Sequence, residues 1–291
     1  MRIFLTGATG FLGSRVLSQL EGHELLCLSR STLLQDKRAN ISVRSLLGDL
    51  AQPHTWKTEV KQFAPQACLH LAWEGLPDYS LPRCRSNLSA SIKLIETLAD
   101  VGIKHLVVAG SCWEYGNASG AVNEDQPAKD EGLFAATKRS LRVFLESFAP
   151  KHGFEYRWAR IFFVYGPGQR AASLIPQCHA AYSLGKQPEI RNPGLTQDFV
   201  YVDDVAQGLV ALTQANVGSG VFNIGSGVPT TVSSIVNRVA EHFGAPPLFP
   251  SCQPTSGFWA DISKITATTN WRTQTPIDDG IRQTLKALDH K

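Results

Sequence analysis

The chain has 291 residues, 43% hydrophobic and 18% charged, enough to bury the core of one large domain or of a domain with a smaller lobe. A net charge of +3 without any Lys/Arg run excludes the basic footprint of a nucleic-acid binder. No apolar run approaches the ~18–20 residues of a membrane span, so no membrane partner is expected either.

The amino terminus enters directly on "RIFLTG" (2–7), an apolar strand with no basic region and apolar core before it, which predicts a cytoplasmic protein. Further strands are expected at "ELLCLSR" (24–30), "ACLHLAW" (67–73), "HLVVAGS" (105–111) and "EYRWARIFFV" (155–164). Between the third and fourth, Leu88, Ile92, Ile95 and Leu98 recur at helical spacing and Gly102 closes the helix. This alternation is that of βαβ units around a parallel sheet, an α/β fold. After "VYGPGQ" the pattern loosens into Pro-rich pieces that read as an interleaved smaller lobe. The division expected is 1–165, with strands contributed from about 198–225, and 166–291. Cys27, Cys68, Cys84, Cys112, Cys178 and Cys252 are scattered without a C-x-x-C pair. With the histidines they offer no ligand spacing, so reduced thiols and no metal are expected.

"TGATGFLGS" sets Gly7, Gly10 and Gly13 between the first strand and a helix opening at Phe11 and Leu12. A pyrophosphate approaches helix N-terminal N–H groups there, where side chains would obstruct it, so a dinucleotide is the expected cofactor. An acid at the end of the second strand would select NAD; Ser29 and Arg30 stand there instead and favour NADP(H), with NAD as the alternative. In "GDL", Asp49 and Leu50 suit either an adenine contact or a plain turn.

Taken in order, "TGATGFLGS", "HLAW", "GSCWEYG", "FAATK", "RIFFVYGPGQ", "QDFVYVDDVA", "VFNIGSG" and "FWADISK" with "NWR" resemble the extended short-chain dehydrogenase/reductase family. The likeness lies with its NAD(P)-dependent nucleotide-sugar epimerases, dehydratases and reductases, over nearly the whole chain. The resemblance implies a Rossmann, doubly wound parallel sheet with a C-terminal substrate lobe, and a homodimer through the 88–99 and 134–149 helices. It implies that Leu71 and Ala72 touch the cofactor, that Ser111 polarises a sugar carbonyl, and that Lys138 binds nicotinamide ribose. Trp73, Cys112, Trp113, Phe163, Arg191 and Gln197 fall at substrate positions.

Several positions depart from the family pattern. The acid/base tyrosine four residues before Lys138 is Phe134, either a natural departure or an engineered one that traps a complex. Tyr182 and Lys186 repeat the spacing, but in the expected substrate lobe, as a coincidence. Gln197 replaces an arginine that would grip a diphosphate, and "PSCQPTSGFWAD" lacks a second one; Arg191 or Arg170 could compensate. Cys112 and Trp113 stand where 4,6-dehydratases carry an Asp-Glu pair. The expectation is therefore an oxidoreductase or epimerase of a sugar nucleotide, foremost a keto-sugar reductase. The alternative is a dinucleotide-binding sensor of the same fold that catalyses little.

Overall fold

The computed structural model describes residues 1–31, 42–127 and 132–290. In chain order it forms β1 (Arg2–Thr6), α1 (Phe11–Leu17), β2 (Glu24–Ser29), β3 (Ser42–Leu47), α2 (Lys57–Phe63), β4 (Ala67–His70), α3 (Leu81–Val101), β5 (His105–Ala109), β6 (Gly120–Val122), α4 (Leu133–His152) and β7 (Glu155–Ile161). It continues with β8 (Phe163–Tyr165), α5 (Leu174–Ser183), β9 (Thr196–Tyr201), α6 (Val202–Gln214), β10 (Gly220–Ile224), β11 (Pro229–Thr231), α7 (Val232–His242), β12 (Gly257–Ala260), α8 (Ser263–Thr269) and α9 (Ile277–Asp289).

Seven strands form one sheet in the order β10-β7-β5-β4-β1-β2-β3, and the six from β7 to β3 pair in parallel. β1 and β4 are neighbours, and from them the chain winds outward in both directions. Such a reversal opens a crevice beyond the carboxyl ends of those two strands. The inner strands carry unbroken buried runs, Ile3–Thr6, Leu25–Leu28 and Ala67–His70, as expected of a sheet covered on both faces. Expected strands 67–73 and 105–111 end early, at His70 and Ala109, so Leu71–Trp73 and Gly110–Ser111 run on as loop. β3 escaped the sequence reading because it is an edge strand, half polar and mostly exposed.

The chain divides into two compact units: Met1–Asn117, Pro127–Arg160 and Ala206–Phe222 in one, Ala118–Gln126, Ile161–Val205 and Asn223–Lys291 in the other. Strand pairing sets these bounds. β6 pairs with β12 and β9 with β11, so both join the smaller sheet, and of the stretch 198–225 only β10 joins the larger one. The expected strand 155–164 breaks at Phe162 into β7, in the large sheet, and β8, which pairs with β9.

The first unit's core joins Phe4 and Leu26 of the sheet to Leu94 and Leu98 of α3 and Leu141 and Leu145 of α4. α3 and α4, the expected dimer helices, pack on each other and leave Leu81, Leu133 and Val143 exposed. In the second unit the fully buried Asp198 accepts from the backbone N–H groups of Ser226, Gly227 and Ala260 and from the Ser226 hydroxyl. Burial pushes its carboxyl up while those donors oppose the shift. Asp204 likewise accepts from Gln274 and Thr275 N–H and receives the Trp271 indole at its carbonyl. The acids of "QDFVYVDDVA" therefore tie loops to the lobe.

Candidate active site

The crevice beyond β1 and β4 is a cleft of about 780 Å³. Its lining includes Gly7, Gly10, Ser29, Arg30, Asp49, Leu50, Leu71, Ala72 and Trp73. Phe11, Leu12 and Gly13 form the first turn of α1, which no side chain caps, so its leading N–H groups have no intrahelical acceptor. Gly7 sits at φ +79°, and a Cβ there would stand 2.7 Å from Ala72 N, so packing alone requires glycine. At Gly10 the nearest protein atom to such a Cβ is 3.2 Å away, and Gly10 faces the cleft. These features, uncapped N–H groups and a bare glycine at the mouth of the crevice, fit a dinucleotide's phosphates.

Arg30 is engaged: its Nη1 lies 2.6 Å from Oε1 of Glu74, whose other oxygen is 3.3 Å from Nη1 of Arg83. Both members of the Arg30–Glu74 pair are largely exposed, so it holds Arg30 weakly. Asp49 lines the cleft and also caps a turn, its Oδ1 accepting from Ala51 N–H at 2.8 Å. Asn87 and Ser91 of α3 also line the cleft; both were missed, although "SNLSAS" interrupts the apolar face of that helix with small polar residues.

Ser91 ends a buried chain. Thr6 Oγ1 is 2.7 Å from His70 Nδ1, and His70 Nε2 is 3.1 Å from Ser91 Oγ. Burial, then Lys138, pushes the His70 imidazole down to about 3. An unfolded chain binds a proton near the histidine's usual pKa of about 6.5, whereas the folded one stays neutral. Stability is therefore lost as pH falls from there toward 3, by up to about 5 kcal/mol. Urea unfolding at pH 7, 5 and 4 should show a shallower acid slope in His70→Gln than in the parent; equal slopes would clear His70 of this role.

Lys138 lies in the second turn of α4, 5% exposed. Its Nζ donates to Ala109 O at 2.8 Å and sits 3.8 Å from the centre of the Trp73 ring. Burial pushes the ammonium down to about 7, and Glu114 opposes the shift. Ser111 follows Ala109 by two residues and caps a 3-10 turn at Cys112–Tyr115, its Oγ accepting from Trp113 N–H at 3.2 Å. Glu114 closes the reciprocal half of this capping box, accepting from Ser111 N–H at 2.9 Å.

Phe134 is ringed by aromatics: Tyr79 at 5.1 Å, Trp73 at 5.6 Å and Trp113 at 5.8 Å between ring centres. With Tyr79, Trp113 and Asn117 it lines a second pocket of about 310 Å³. Cys112 is buried and does not line that pocket. In the other unit, Phe163 packs on Phe199 and Phe258, Gln197 lies on β9, and Arg191 is exposed just before it. Tyr182 stacks on Phe243 near the end of α5, with Lys186 beyond the helix.

The family model of the NAD-dependent epimerases and dehydratases matches residues 3–225. The chain belongs to that family. Among its relatives, UDP-glucuronate 4-epimerase of Thermodesulfobacterium geofontis is 27% identical, across 97% of this chain and 94% of its own. The dTDP-6-deoxy-L-talose 4-dehydrogenase (NAD(+)) of Aggregatibacter actinomycetemcomitans is also 27% identical, over 83% of this chain and 91% of its own. The structure of MoeE5 in complex with UDP-glucuronic acid and NAD superposes with a TM-score of 0.87 at 27% identity, covering 100% of this chain and 99% of that one. This family member thus has the Rossmann, NAD-dependent framework of nucleotide-sugar enzymes. Among the described residues no helix is long and apolar enough to cross a membrane.

Proposed function

We propose that the chain moves a hydride between a nicotinamide dinucleotide and C4 of a nucleotide-linked hexose, foremost as a reductase of the 4-keto sugar. The observation that carries this reading is the buried Lys138, held at Ala109 O two residues before Ser111 and over the Trp73 ring that lines the glycine cleft. The names of the 27%-identical relatives, a 4-epimerase and a 4-dehydrogenase, support chemistry at C4. When bound, the dinucleotide supplies or accepts the hydride. Gly7, Gly10 and the first turn of α1 would hold its phosphates, and Lys138 its ribose. Ser111, positioned by its cap, donates a hydrogen bond to the sugar oxygen as negative charge grows there. In reduction the carbonyl carbon gains the hydride and its oxygen gains a proton, which Phe134 cannot give and which water supplies.

Ser29 and Arg30, with no acid at that strand end, support acceptance of a 2′-phosphate once Arg30 leaves Glu74. Trp113 is 42% exposed and lines the pocket beside Phe134, which suits stacking on a sugar ring. A second reading is favoured by the aromatic ring around Phe134: a dinucleotide-binding protein that turns over slowly or not at all.

The test incubates the protein with UDP- and dTDP-linked hexoses and their 4-keto forms, with NADH and NADPH in parallel. Nicotinamide absorbance and sugar NMR are followed together. Slow reduction at C4 of one sugar is expected. Tight dinucleotide binding with every sugar unchanged would replace the reductase by the binding protein, and no binding of either dinucleotide would remove both.

A further inference from the structure

Far along the chain from these residues, three helices of the second unit bring their ends or faces together at three metal-ligating side chains. His179 lies on α5, His242 is the last residue of α7, and Asp289 is the last residue of α9. Nε2 of His179 is 2.9 Å from Oδ1 of Asp289, and Nε2 of His242 is 3.1 Å from Oδ2 and 3.4 Å from Oδ1. All three donor atoms lie within 4.8 Å of one another. Bonds of about 2.0–2.1 Å to a tetrahedral zinc ion set ligand atoms about 3.4 Å apart, close to the separation of each imidazole nitrogen from the carboxylate here.

Three further observations favour a cation. Phe243 packs against both imidazoles, its ring centre 5.1 Å from each, which fixes their planes. α7 and α9 both terminate at the cluster, and the carbonyl ends of two helices carry partial negative charge. His179 is shielded while His242 and Asp289 are partly open to solvent, leaving an approach for an ion and for a water as fourth ligand. Two imidazoles and one carboxylate suit zinc and not magnesium or calcium, which take oxygen donors.

We propose that His179, His242 and Asp289 form a Zn²⁺ site that clamps the C-terminal helix α9 to α5 and α7. The ion replaces the protons now shared between the imidazoles and the carboxylate, and so cross-links three segments separated by 63 and 47 residues. Sequence spacing could not reveal it, because each ligand comes from a different helix.

The test uses the full chain without an affinity tag, stripped with EDTA and titrated with Zn²⁺ by calorimetry, with Mg²⁺ as control. One Zn²⁺ per chain is expected, with a dissociation constant on the order of 1 µM or tighter, no heat from Mg²⁺, and a rise in melting temperature on zinc addition. Co²⁺ should give the visible absorption of a tetrahedral site. His242→Gln should weaken Zn²⁺ by at least about 100-fold and abolish the thermal shift, while Cys252→Ser should leave both unchanged. His242 is partly exposed and at a helix end, so this variant keeps the fold; should it not, Asp289→Asn gives the same reading. Equal Zn²⁺ affinity in the parent and the His242→Gln protein, or no stoichiometric binding at all, overturns the site.

Discussion

Phe134→Tyr should raise turnover by about 10²–10⁴-fold, or roughly 3–5 kcal/mol of barrier, with dinucleotide affinity nearly unchanged. The ring at position 134 already borders a pocket of about 310 Å³, so an added hydroxyl has space on that side. Lys138 Nζ is 6.0 Å from the centre of the Phe134 ring. A cation at that distance favours the phenolate form of a tyrosine placed there, so the phenol's pKa falls and proton transfer becomes easier. The measurement is steady-state turnover of the responding sugar by both proteins, with dinucleotide binding measured separately. An unchanged rate would show that 134 is not the missing acid. Loss of the parent's residual activity in Tyr79→Phe would then point to the phenol packed against the Phe134 ring.

Glu114→Ala should cost about 3–5 kcal/mol of stability. Its carboxylate is fully buried and takes Ser111 N–H and Trp158 Nε1 on one oxygen, each at 2.9 Å. The other oxygen faces Arg160 Nε at 3.4 Å and Arg142 Nε at 3.7 Å. Removing it takes a buried carboxylate away from Arg160, while Arg142 keeps its pair with Glu146. Glu114→Gln keeps an acceptor but not the charge, and should fall between. Urea unfolding of the three proteins checks the order. A loss under about 1 kcal/mol would mean solvent reaches the arginines.

Much of this was legible in the sequence because it depends on short-range patterns. The glycines at 7, 10 and 13, the apolar strands and the Gly102 stop of α3 are local events, and each lies where the residues require it. The Lys138 and Phe134 spacing was equally readable. What stayed hidden depends on partners distant in the chain. Arg30 looked ready for a phosphate until Glu74, 44 residues on, was found beside it. Within "GSCWEYG" the structural role of Glu114 stayed hidden: it is fully buried, and Gly110 is bare to make room for it and for Trp158. The acids at 198 and 204 were read within a family motif, while their hydrogen bonds reach loops near 226, 260 and 274.

The division of the chain has a consequence for how such a protein can change. Each compact unit is assembled from three stretches, so the backbone passes from one to the other five times. Neither can be cut out, transplanted or shed by a single proteolytic nick, since no one break puts the three stretches of one unit and the three of the other on separate fragments. The second unit can therefore change only by altering side chains in place or by lengthening loops, not by being exchanged as a cassette.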